Sequence, residues 1–237
     1  MITSAAPQAL EELHPSLWRA SQLGRSATRC IDTGHLALSH QLPGGGWPTG
    51  TLIELLVSRP GIGELRVLAP ALAAVATKQI VLIEPPHTPN TIALAGLGLK
   101  PADVLWIKSK VTNDALWTAQ ETLRSGCFGA VLLFSTHLRP ESLRRLTLAA
   151  STSETLLFVF RPIATAQDPS PAALRLSMRP ASGGIELGFV KLRGPQRDHP
   201  LFLPLMVSQA HPMPRTTPTT PIPVPVRGQI PKTVNVS

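Results

Sequence analysis

Residues Cys30 to Leu65 read CIDTGHLALSHQLPGGGWPTGTLIELLVSRPGIGEL, and this stretch decides the fold. Pro43, Gly44, Gly45, Gly46, Pro48 and Gly50 punctuate a turn-rich lead-in. Thr51 to Val57 (TLIELLV) is a mostly apolar run of strand length. Ser58 to Gly63 (SRPGIG) is a tight loop, and Glu64 to Thr77 is rich in alanine and leucine at helical spacing. Strand, glycine loop and helix in that order form the context in which a phosphate-binding loop sits.

The residues that would make such a loop work are replaced. A phosphate loop reads G-x-x-x-x-G-K-[ST], its Lys meeting the β- and γ-phosphates and its hydroxyl holding Mg²⁺. Here Ser58, Gly61 and Gly63 are followed by Glu64 at the Lys position and Leu65 at the hydroxyl position. Two unit charges about 4 Å apart interact by roughly 4 kcal/mol at an effective dielectric of about 20. At Glu64 that term is a repulsion of phosphate, so neither a nucleotide cofactor nor a metal is expected. The helix N-terminus still directs N–H groups at the loop, which leaves room for a remnant anion site, less the donor that Pro60 lacks. The same residues also suit a plain strand-to-helix turn.

Four more strand-like runs follow: Gln79 to Glu84, Asp103 to Lys108, Ala130 to Phe134 and Thr155 to Phe160. Apolar runs without alternation suit strands buried on both faces. Helix-like segments alternate with them: Glu64 to Thr77, Asn90 to Leu97, Asn113 to Ser125 and Pro140 to Ala150. Asn113 and Asp114 supply a start signal for the third of these and Gly126 a stop. Beyond Ala172 the apolar residues alternate around Ser182-Gly183-Gly184, which predicts an antiparallel hairpin. The expected fold is α/β, with a mainly parallel central sheet, helices on both faces and a C-terminal antiparallel hairpin.

The 237 residues suffice for one sizeable core, and with 43% hydrophobic and 15% charged residues most of the chain should fold. Three parts are expected: an N-terminal arm over 1–29, a core over 30–204, and a basic Pro/Thr-rich tail over 205–237 that cannot build a core of its own. The arm carries Leu10, Leu13, Leu17 and Trp18 on one helical face, with Pro15 as a break or a start. The formal charge of +8 suggests an acidic partner, nucleic acid or protein, although it serves equally as a solubilising charge. Cys30 and Cys127 lack metal spacing and read as reduced, buried small hydrophobes. The seven histidines are scattered without ligand spacing. No signal-peptide pattern opens the chain, and no apolar run approaches the roughly 18 residues of a membrane span, so a cytoplasmic location is expected.

The lead-in resembles the start of the RecA ATPase core. RecA shows I-x-T-G-x-L-x-L-D, a Gly-Gly-x-P-x-G turn and an apolar strand. The matching residues here are Ile31, Thr33, Gly34, Leu36, Leu38, Gly45, Gly46, Pro48, Gly50, Ile53 and Glu54. The resemblance implies a RecA-like P-loop core, and it extends downstream in order. RecA's next strand ends I-D-x-E-H, whose Glu activates water. Here Ile83, Glu84, Pro85, Pro86 and His87 stand there, so Pro86 replaces the base. A later strand ends V-V-D-S in RecA, and Phe134 stands at that metal-supporting Asp. With Lys, hydroxyl, Asp and Glu all absent, no catalytic residue is assigned and phosphoryl transfer is not expected. RecA's two DNA-binding loops are also cut back: after Ser135 the run THLRPESLRRLTLAA leads directly to the next strand, and Arg161 to Pro171 is a short Pro-rich stretch.

Within RecA-like proteins, the run Phe158 to Pro162, with LRRLTLAA before it and LRLSMRP after it, is similar to the ImuA/SulA family. The HPSLWRA arm, the hairpin and the basic tail resemble the ImuA branch. That branch implies a damage-inducible (SOS response) accessory protein of translesion DNA synthesis and mutagenesis. Its implied partners are an ImuB-type Y-family polymerase homologue and a DnaE-type error-prone polymerase, with RecA as a further candidate; DNA contact is expected to be indirect. The competing readings are a SulA-like division inhibitor that binds FtsZ and an active RecA-like, DNA-dependent ATPase. Candidate partner or DNA-binding residues are the basic cluster Arg139, Arg144 and Arg145, which also suits a solvated helix face, and Arg215, Arg227 and Lys232 in the tail. On that helix Leu143, Leu146 and Leu148 are expected to face the core. Trp47 suits either an exposed anchor or a cover over the sheet end.

Overall fold

The computed structural model describes residues 29–109, 111–193 and 199–205. The N-terminal arm before residue 29 and the tail with Arg215, Arg227 and Lys232 lie outside the described residues.

An eight-stranded sheet runs through the molecule in the order β10-β9-β8-β3-β7-β6-β4-β5. Its central strand is β3 (Leu52–Val57), every residue of which is buried. It pairs in parallel with β7 (Leu156–Pro162) on one side and with β8 (Leu174–Ala181) on the other. Outward from β7 lie β6 (Ala130–Phe134), β4 (Ile80–Ile83) and β5 (Val104–Ile107), all parallel. The apolar runs are strands because branched and aromatic side chains fill both faces of the pleat, but β5 departs from the expected burial: it is the edge strand, and its Leu105 and Trp106 are exposed. On the other side β9 (Gly184–Lys191) turns back on β8. Ser182-Gly183 forms the turn, and Gly183 adopts the positive φ of 76° that a tight hairpin needs. β10 (Leu201–Pro204), a short run between prolines that the sequence reading did not mark as a strand, then adds antiparallel to β9.

The helices divide between two faces. α2 (Glu64–Val75) and α3 (Thr91–Gly96) join a core with Ile53, Leu55, Leu82, Leu132 and Phe158. α4 (Thr112–Ser125) and α5 (Pro140–Ala150) cover the opposite face with Leu52, Val81, Leu133 and Val159. Asn90 caps α3, its side chain accepting from the Ile92 and Ala93 amides. The start of α4 corrects the sequence reading. It begins at Thr112 after Val111, with no side-chain cap from Asn113, while Gly126 closes it with φ 64° as expected.

The lead-in folds as more than turns. β1 (Cys30–Asp32) pairs antiparallel with β2 (Gly46–Pro48) around a short helix α1 (Leu36–Ser39). This flap docks on α2. A Cβ on Gly34 would fall 2.1 Å from Cβ of Pro70, and His35 Nε2 lies 3.1 Å from the Val67 carbonyl oxygen. Trp47 is fully buried and meets Phe158 edge to face at 5.3 Å, so it covers the sheet and is not an exposed anchor. Cys30 is half-buried and Cys127 exposed, so neither is the buried hydrophobe expected from composition. Among the described residues no helix is long and apolar enough to cross a membrane.

Candidate functional site

The parallel strands β3, β4, β6 and β7 all end at one rim. There, crossovers from neighbouring strands leave to opposite faces, with α3 on one side and α4 on the other. Open α/β sheets bind ligands outside the carboxyl ends of strands at such a point. A cleft of about 420 Å³ lies at this rim. Its walls come from the Ser58–Pro60 loop, Glu64, Glu84, Ser109, the first turns of α4, and Phe134, Phe160 and Arg161 at the strand ends.

The loop residues singled out in the sequence lie together here, in an arrangement the sequence reading did not anticipate. Gly61 and Gly63 take positive φ (80° and 109°), a conformation that turns successive N–H groups inward. The Glu64 side chain curls back into that concavity. Oε1 accepts from the Gly61 amide at 2.9 Å and Oε2 from the Gly63 amide at 3.1 Å. The carboxylate is buried and sits at the N-terminus of α2, where a negative charge is favoured. The loop therefore holds an anion from its own chain. Ser58 is exposed, and its amide donates to the Met178 carbonyl, which ties the loop to β8. Leu65 packs into the first core.

The other positions that the resemblance sets against catalytic groups differ in their surroundings. Phe134 stacks on Phe160 with centroids 4.4 Å apart and planes 6° from parallel. Glu84 is, among the described residues, the non-glycine residue with positive φ (54°), and its carboxylate accepts from the Ser109 amide. That bond bridges the ends of β4 and β5 and holds the side chain at the cleft wall. Pro86 and His87 are exposed.

Beside the cleft lies a buried ionic group that the sequence reading missed. Glu54, fully buried on β3, meets Arg161 Nη1 through Oε1 at 2.9 Å and Arg175 Nε through Oε2 at 2.5 Å. The Glu54–Arg175 contact is an ion contact without aligned hydrogen-bond geometry. Arg161 Nη2 reaches Asp168 at 3.1 Å, and Arg175 donates to the carbonyls of Thr165, Ala166 and Asp168. A glutamate inside TLIELLV and arginines inside FVFRP and LRLSM were the available signals, since a charge within an apolar strand must find a partner.

Arg139, Arg144 and Arg145 are exposed around α5 and none of them lines the cleft. Leu143 and Leu146 are buried beneath them as expected, whereas Leu148 is 70% exposed and belongs to the outer face with the arginines. Among the described residues no group of three or more His, Cys, Asp or Glu is placed to hold a metal ion.

Fold and site thus define an open, mainly parallel α/β sheet whose strand-to-helix anion loop is closed by its own carboxylate. No protein-family model matches the chain, and no curated protein matches its sequence.

Proposed function

We propose that the chain is a non-catalytic, RecA-like accessory protein of SOS-induced translesion synthesis, which acts by binding other proteins in DNA damage tolerance. The observation that carries the non-catalytic part is the Glu64 carboxylate on the Gly61 and Gly63 amides. A phosphate would need those donors, and the occupant is covalently attached, negatively charged and buried. Phe134 on Phe160 and Pro86 beyond β4 add to it, because neither can carry metal or activate water. The accessory role rests on the resemblance to the ImuA/SulA family over the lead-in, the Phe158–Pro162 run and the hairpin.

On this reading the protein works in the cytoplasm, on the nucleoid when assembled. The partners are an ImuB-type Y-family polymerase homologue and a DnaE-type polymerase, with RecA as a further one. Arg144 and Arg145 contribute through a salt-sensitive surface. Purified protein is assayed for ATP turnover with and without single-stranded DNA, and for capture of the ImuB-type protein across a salt series. No turnover, together with capture that weakens in the Arg144→Ala/Arg145→Ala variant at low salt, is expected. DNA-stimulated hydrolysis lost on changing Gly63 would overturn the non-catalytic reading. Inhibition of FtsZ polymerisation without capture would replace translesion synthesis with division control.

A further inference from the structure

The cleft at the carboxyl rim has an apolar body and two glutamates in its wall. Its volume of about 420 Å³ falls within the range of small-molecule and side-chain pockets, about 300–1,000 Å³. Phe134, Phe160, Leu116 and Leu138 supply apolar wall. Four charged residues line it: Arg59, Glu64, Glu84 and Arg161. They are not equivalent. Arg161 is neutralised from behind by Glu54 and Asp168, and Arg59 stands on an exposed turn where water screens it. The two carboxylates are fixed in place. Glu64 is held by the Gly61 and Gly63 amides and Glu84 by the Ser109 amide. Neither has an ion-pair partner among the described residues.

Burial without a counter-cation is costly for a carboxylate, and backbone amides offset only part of that cost. Each carboxylate oxygen offers two lone pairs. On Glu64 the amides use one on each oxygen, which leaves acceptor capacity on a side chain that is 94% buried at a cleft wall, given its 6% exposure. An ammonium or guanidinium group entering the cleft would find carboxylate acceptors in its wall in a partly desolvated setting, where charge-assisted hydrogen bonds are about twice as strong as neutral ones. Its apolar stem would cover the aromatic and leucine wall.

We propose that this cleft is a binding site for an organic cation with an apolar body, an amine or guanidine on a hydrocarbon stem. The site selects against carboxylates and phosphates. Its chemistry stands independently of any partner named above, since it rests on the two fixed carboxylates and the apolar wall.

The test titrates the full chain with isosteric probes at pH 7: 4-phenylbutylamine, 4-phenylbutanol and 4-phenylbutyrate. Amide chemical shifts of Ser109, Thr112 and Ser135, around the cleft, give the affinities. The amine is expected to bind at least tenfold tighter than the carboxylate, about 1.4 kcal/mol, with the alcohol between them. Glu84→Gln keeps the shape and the acceptor for Ser109, and it should cut that preference to threefold or less. Thr112→Trp, at an exposed position on the mouth, should abolish binding of all three probes and leave distant amides unmoved. A fourth titration uses a blocked tripeptide with arginine between two leucines. Tighter binding of the peptide assigns the cation to a partner polypeptide, and tighter binding of the free amine assigns it to a small metabolite; either outcome supports cation selection. The proposal is overturned by equal affinities for amine and carboxylate. It is also overturned by a preference that survives Glu84→Gln, by binding that survives Thr112→Trp, or by no amine binding up to about 10 mM, beyond the weak millimolar range.

Discussion

Replacing Glu54 with glutamine tests the buried ionic group at the centre of the sheet. The side chain has no exposure and contacts two guanidinium groups, at 2.9 Å and 2.5 Å. Glutamine keeps the volume, removes the charge and turns an amide N–H toward one of the arginines. Arg161 would retain only the half-exposed Asp168, and Arg175 only backbone carbonyls. Removing one partner from a buried charge set costs about 3–5 kcal/mol, against a total stability of about 5–15 kcal/mol for a domain. With a urea slope of about 2 kcal/mol per molar, a loss of about 4 kcal/mol lowers the unfolding midpoint by about 2 M. Urea unfolding followed by tryptophan fluorescence reads this directly, because Trp47 packs on Phe158 of β7, the strand that carries Arg161. A companion variant, Glu54→Leu with Arg161→Met and Arg175→Leu, removes all three charges and should regain most of the loss. A midpoint within about 0.3 M of the parent for Glu54→Gln, less than 1 kcal/mol at that slope, would refute the reasoning. It would mean that water reaches the group and screens it.

Gly34→Ala should lower stability by about 2–4 kcal/mol, from a Cβ that overlaps Pro70 and a backbone at φ 73°; calorimetry checks it. Glu64→Ala should cost about 1–2 kcal/mol in thermal unfolding, since two charge-assisted bonds at a helix start are lost but the exposed loop admits water. Phe134→Asp, which restores an acid at that strand end, should destabilise through loss of the Phe160 stack without conferring ATP hydrolysis in a phosphate-release assay. Leu148→Ser should change stability by no more than about 0.5 kcal/mol, because the side chain already faces solvent.

The central strands were legible because wholly apolar runs such as AVLLF and LLFVF suit only positions covered on both faces. The hairpin was legible from alternation around Ser182-Gly183. β1, β2 and β10 carry three or four residues each, too short for any period to show. At the site, Glu64 was read as an isolated charge opposing phosphate. Its side chain has the reach to fold back on Gly61 and Gly63, and that depends on loop dihedrals that spacing does not reveal. Glu54 was visible as an acid in an apolar run, but its arginines lie on strands whose adjacency is a property of topology. Leu148 falls outside the stripe that Leu143 and Leu146 begin, because α5 buries a narrow face.

The position of Glu54 also bears on how the chain is made. Its partner Arg161 lies 107 residues further on. At about 5–20 residues per second, a ribosome needs about 5–20 s to deliver that arginine after the glutamate has been joined. Throughout that interval the LIELLV segment has no neighbouring strand on either side, because both of its parallel neighbours, β7 and β8, come later. A nascent chain stalled before residue 156 therefore presents a bare, aliphatic, hydrogen-bonding edge. Such chains should be held by chaperones, whereas chains released past β8 should not.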